Sequence, residues 1–245
     1  MRLLVGLTSL IGSVERYADR FDLLELRADP KRLPSTKALR KLHASAPKLV
    51  TSLLVPQDQS GAALESADRA TPFVEAADAL GASWVVVQTG AEFGPSQRAR
   101  QRLENLLARF RADGRRLAWE PRGPWEPEVA VAQAITWGVA LVQDLSVFAG
   151  TGESVVYTRL RALGPGAALK SGALEHLAEE LETADEAVVV VEGNPSGKAR
   201  SRIGRVVLGA AAEREEAAAT DEDEELEGEE EELDEDYEED DEDES

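Results

Sequence analysis

Between two tryptophans of the run LAWEPRGPW, Leu117 to Trp125, stand Glu120 and Arg122, two positions apart at the end of an apolar stretch. Alternation along a strand puts both side chains on one face, and Pro121 and Pro124 stop the strand there. Glutamate can move a proton, and arginine offers a fixed fork to a carboxylate or a phosphate. The other strand-like runs end in Thr8 and Ser9, Glu25 and Arg27, Ser52, Gln88, Asp144, Arg159 and Arg161, and Glu192 and Asn194. If these ends converge, four carboxylates (Glu25, Glu120, Asp144, Glu192) meet four guanidiniums (Arg27, Arg122, Arg159, Arg161). A balanced set of this kind suits a small anionic or phosphorylated ligand. Arg122 and Arg159 would clamp it, and Glu25, Glu120 and Asp144 are the candidate acid–base residues. The competing expectation is that these charges pair with one another and rim the fold.

Three further features bear on the same site. Trp119 alternates away from Glu120 and is expected in the core, whereas Trp125 lies beyond the strand, as a pocket wall or as loop packing. The segment EGNPSGKARSR brings Asn194, Ser196 and Gly197 to the start of a helix, where backbone N–H groups could receive an anion. It is not a Walker A loop, because Ala199 stands where that motif needs serine or threonine. Carboxylates alone could hold magnesium or manganese, but neighbouring arginines oppose a cation, so no metal site is expected and no cofactor is implied. His43 and His176 fall inside helical stretches and are not expected to be catalytic.

The elements that must position these residues follow from apolar runs and helical periodicity. Strands are expected near 2–8, 22–28, 48–55, 84–89, 116–122, 139–145, 154–161 and 186–192. Helices fit near 13–20, 35–46, 62–80, 96–113, 127–137, 171–184 and 196–219, with Gly81, Gly114 and Gly138 placed to end three of them. Only the stretch from Ser146 to Glu153 is too short for one. Eight strands in βα alternation predict a (β/α)8 TIM-like barrel with a helix-less connection between the sixth and seventh strands. A doubly wound sheet is the alternative. In a barrel the polar strand ends share one mouth.

At these residues the chain resembles the YecE-like family, domain of unknown function 72, TIM barrels of unassigned activity. The resemblance covers about residues 3–208 and rests on VGLTS, FDLLEL with Glu25, QTGAEFGPS, WEPRGPW, the Asp144 strand end, YTRL with Arg159, and EGNPSGKA with Asn194 and Ala199. It implies the barrel, not a reaction. The family's usual start is GTSGW-like, with an asparagine and an aromatic pair after the second-strand glutamate. This chain has Leu10 and Arg27-Ala28-Asp29-Pro30 there.

The formal net charge of −21 is carried by one end of the chain. Asp221 to Ser245 holds 20 acidic and no basic residues, which leaves 27 Lys and Arg against 28 Asp and Glu before it. With only Leu226, Leu233 and Tyr237 as sizeable apolar groups, that run cannot offset the entropy of ordering and is expected to be disordered. The expected organisation is a barrel domain over 1–212, its last helix reaching as far as 219, and an acidic low-complexity tail over 213–245. The tail is a solubilising spacer or a contact for a basic protein, including a fold back onto the chain's own arginine-rich helices. It cannot bind bare nucleic acid. Those arginine runs, Arg98 to Arg116 and Lys198 to Arg205, leave nucleic-acid processing as a weaker reading. With no cysteine, disulfides, thiolate nucleophiles and Cys-based zinc sites are excluded. No run is long enough to span a membrane, and Glu15 and Arg16 argue against a signal peptide, so a cytoplasmic protein is expected.

Overall fold

Eight parallel strands, each hydrogen-bonded to its neighbours in sequence, close into a barrel in which the last strand pairs with the first. The computed structural model describes residues 1–29, 33–56, 66–161, 170–192 and 199–209. The strands are β1 (Arg2–Leu7), β2 (Leu23–Arg27), β3 (Val50–Val55), β4 (Trp84–Thr89), β5 (Arg116–Pro121), β6 (Ala140–Gln143), β7 (Val155–Leu160) and β8 (Glu186–Val191). Among the described residues the helices are α1 (Val14–Ala18), α2 (Thr36–Ser45), α3 (Ala67–Leu80), α4 (Gln97–Phe110), α5 (Pro127–Trp137), α6 (Ser171–Glu180) and α7 (199–209). Residues 144–154, between β6 and β7, hold no helix. Asn194, Ser196 and Gly197, the start of the expected helix over 62–80, and the acidic run all lie outside the described residues.

Local chemistry explains most boundaries. Ser13, Ser35 and Ser96 accept hydrogen bonds from the N–H groups of Arg16, Ala38 and Ala99, satisfying donors that each helix start leaves open. Gly81 and Gly138 end α3 and α5 in the left-handed conformation, at φ 60° and 61°. Gly114 was expected to end a helix as well. It takes φ +73° in the turn before β5 instead, because α4 stops at Phe110.

Both strand faces are covered, and β4 and β8 are buried along their whole length, as closure of a parallel sheet requires. Inward-facing Leu4, Leu23, Trp84, Val86, Tyr157 and Val188 fill the barrel. Outward-facing residues of the same strands join helix residues in two clusters, one around Trp119, Phe110 and Phe73, the other around Tyr17, Leu160 and Ile203. At the barrel floor Arg2 and Arg116 share the Glu186 carboxylate at 3.2 and 2.8 Å. The floor is thus latched by charge and the middle by apolar packing, so the strands' C-terminal ends form a fixed rim.

Candidate functional site at the barrel mouth

Arg159 is the centre of the mouth. It is fully buried on β7, and its guanidinium grips Glu25 of β2 with two bonds of 2.6 Å each. One of those nitrogens also reaches Glu192 at 3.3 Å, and Nε stands 3.1 Å from Glu120 Oε2. Burial opposes the Arg159 charge, but Glu25, Tyr157 and Glu192 together more than compensate and hold its pKa above the ordinary guanidinium value. One side chain thereby ties β2, β5, β7 and the end of β8 together.

Beneath Glu25 lies a supporting group. The Tyr157 hydroxyl donates to Glu25 Oε2 at 2.7 Å, and Ser52 Oγ lies 3.0 Å from that hydroxyl. Burial, then the negative charge of Glu25, pushes the Tyr157 pKa well above its usual value, so it remains a donor. Register puts Ser52 beside Glu25, while Tyr157 stands across the barrel with its ring edge-on to Trp84. Tyr157 did not stand out in the sequence. The signal was the period of two along β7, which lines up Tyr157, Arg159 and Arg161 on the inner face.

Glu120 forms the outer layer. It is buried at the end of β5, beside Gln88 of β4, and its Oε1 accepts from Arg122 Nε at 2.9 Å. Arg161 Nη2 contacts the same oxygen. Arg161 Nε also lies 3.6 Å from Glu192. Two guanidiniums thus converge on one carboxylate oxygen. Both remain about a third exposed, 36% for Arg122 and 30% for Arg161, whereas Arg159 is sealed. Burial lowers the pKa of each, although Glu192 works in the opposite direction.

The turn that carries Arg122 is built by packing. Trp125 donates its indole N–H to the Phe93 carbonyl at 2.7 Å, stacks on the Phe93 ring, and meets Trp119 edge-on. Gly123 is required there, because a Cβ at that position would lie 2.4 Å from the Phe93 carbonyl oxygen. Trp119 is buried against Trp137 on the helix-facing side.

Asp144 occupies a different place. Its carboxylate accepts from the Ser146 backbone at 3.2 Å, the Ser146 hydroxyl at 2.6 Å and the Arg161 backbone at 2.7 Å. It latches the helix-less connection to the end of β7. Of the sequence candidates, Glu25, Glu120, Arg122 and Arg159 therefore meet in one network, joined by Glu192 and Arg161. Among the described residues no three histidine, aspartate or glutamate side chains are grouped to hold a metal ion. His43 lies on α2 and His176 on α6, where it faces Glu179 and Glu180 at 3.7 and 3.8 Å. No helix among the described residues is long and apolar enough to cross a membrane.

No family model and no curated protein matches this sequence. Solved structures do. A DUF72 family protein from Enterococcus faecalis superposes with a TM-score of 0.62 at 16% identity, over 85% of this chain and 97% of that one. Another, from Thermotoga maritima, gives 0.61 at 13% identity, over 87% and 100%. The fold is that of the DUF72 barrels. That fold agrees with the resemblance carried by WEPRGPW, YTRL and the Glu25 segment. This chain also superposes on a D-psicose 3-epimerase from Clostridium cellulolyticum, with a TM-score of 0.53 at 13% identity over 89% of this chain and 97% of that one.

Proposed function

We propose that this barrel binds a small anionic ligand, carboxylate or phosphate, at its mouth between Arg122 and Arg161. The observation that carries the reading is the convergence of these two part-exposed guanidiniums on a single Glu120 oxygen. An incoming anion can accept from the guanidinium N–H groups that these two side chains do not direct at Glu120. Arg159, sealed under them, fixes the floor of the site and does not itself need to touch the ligand. Glu120 is then the carboxylate best placed to act as a general base, since it lies beside both guanidiniums. Glu25 serves as a positioning residue for Arg159, and Asp144 as a loop latch.

A thermal-shift series tests this directly. Ligand at about 100 times its Kd adds about 2.7 kcal/mol to the native state. For a domain of this size that is several degrees of Tm. Inorganic phosphate, sugar phosphates and small carboxylic acids are expected to include a stabilising ligand whose effect is lost in both Arg122→Ala and Arg161→Ala. A shift that survives both substitutions would remove the site from the mouth.

One observation favours a second reading. The charges of the mouth already pair with one another, as they would in a catalytically degenerate scaffold whose acidic tail contacts a basic protein. On that reading no ligand shifts the Tm, Glu120→Gln leaves partner capture intact, and removal of the tail abolishes it.

A further inference from the structure

At the opposite end of the barrel from the mouth, the first residues of β4, β5, β6 and β7 line a groove of about 460 Å³. Its walls include Arg111, Arg115, Arg116, Trp84 and Ile135, with Glu153 the one acidic side chain lining it. The positive charge there is only partly matched. Arg116 shares a single carboxylate, Glu186, with Arg2, and these two arginines are 47% and 63% exposed. Arg111 donates to the Trp137 carbonyl, a neutral acceptor, whereas Arg115 is paired with Asp78. Burial pushes the Glu153 pKa up, which lowers the cost of protonating the groove's own acid. Of the apolar lining, Ile135 stands out, 60% exposed on α5 beside the arginines.

We infer that this groove is the docking surface for the chain's own acidic run, Asp221 to Ser245. Charge is the first argument. The run's 20 acidic residues face no basic residue within it, and residues 1–220 are close to neutral, so a basic groove is where such a segment gains most. Composition is the second. Leu226, Leu233 and Tyr237 are spaced through the acids, and the groove offers exposed Ile135 beside its guanidiniums. Reach is the third. Eleven residues, 210–220, separate the end of α7 from the acidic run, which gives it at most roughly 36 Å of reach at about 3.3 Å each. Docking at the strand starts leaves the mouth, at the strand ends, open.

The absence of cysteine makes the test clean, because introduced thiols are the only labelling sites in the full chain. Spin labels at Gly228→Cys and Thr136→Cys, the latter exposed next to Ile135 on α5, report on the groove. Labels at Gly228→Cys and Val147→Cys report on the far end, in the connection after β6. Pulsed dipolar distances at low ionic strength are expected to be short and narrow for the groove pair and long for the other. They should lengthen and broaden in about 1 M salt, where the screening length falls to about 3 Å, and in Arg111→Glu. Equally broad distances for both pairs, unmoved by salt or by Arg111→Glu, would overturn the assignment. So would a short distance seen only between singly labelled molecules, since the occupant would then be a second copy of the chain.

Discussion

At the residue scale, Arg159 and Glu25 form a buried pair whose value lies in being complete. Removing one partner strands the other charge in a sealed site, a loss of roughly 3–5 kcal/mol, while the intact pair contributes far less than its attraction suggests. Glu25→Ala and Arg159→Ala are each expected to lower stability by that amount in chemical denaturation, and the double substitution by less than their sum. Tyrosines give a second prediction. Burial is the main cause raising the pKa of both Tyr17 and Tyr157 above the ordinary 10.0. Between that value and their folded pKa values the native state holds protons that the unfolded state has lost. The stabilisation is therefore complete below pH about 10 and declines as pH rises beyond it. An ultraviolet phenolate titration of the native protein, which has three tyrosines, should find at most one ionising before the chain unfolds. Two or three early ionisations would mean that the Glu25 support is solvent-accessible.

Connections, rather than strands, distinguish this barrel at the element scale. The β6–β7 segment lacks a helix and is held by Asp144, which accepts from Ser146 and from the Arg161 backbone, and by Glu180, which accepts from the Gly150 N–H. Loss of the Asp144 carboxylate takes the acceptor from two partly buried N–H groups and a hydroxyl, at about 1 kcal/mol or more. Asp144→Ala should thus lower the Tm while retaining the ligand shift, whereas Glu120→Gln, which removes the buried charge facing three guanidiniums, should lower the Tm and change the ligand response as well. The two variants separate a latch from a site. The β5–α5 turn makes the converse case: Gly123→Ala must push the chain off the Phe93 carbonyl and carry Arg122 with it, so its ligand response should fall although no charge is altered.

Closure is the property of the whole molecule, and the β1–β2 seam is one of its three shortest pairings. β1 and β2 are in register at only Gly6 with Leu23 and Leu7 with Leu24, against six pairs between β1 and β8. A Cβ at Gly6 would lie 2.1 Å from the Leu23 carbonyl oxygen, so Gly6→Ala has to part these strands. A loss of about 3 kcal/mol or more is expected, with hydrogen exchange accelerated in both strands. Because Arg159 of β7 reaches Glu25 of β2 across the barrel, the same variant should also blunt the ligand response of the mouth. Retained exchange protection along β2 would show that the seam tolerates the methyl group.

Period and punctuation were sufficient for the eight strands and most of the helices, whereas the pairing of β8 with β1 decided for a closed barrel over a doubly wound sheet. VVV-type runs mark strands buried on both faces, glycines at 81 and 138 mark helix ends, and the short stretch after Asp144 left no room for a helix. Those signals are local, each set by a few neighbouring residues. The convergence of Glu25, Glu120, Arg122 and Arg159 was also legible, since strand ends of a closed parallel barrel share one face. Which charge pairs with which was not. That Arg159 is sealed while Arg122 and Arg161 remain half-open, that Asp144 turns to its own loop, that Trp125 packs on Phe93, and that Tyr157 supports Glu25 all depend on contacts between residues as many as 134 positions apart. Side-chain partnership inside a barrel is decided by stagger between strands and by local burial, and no stretch of sequence encodes either alone.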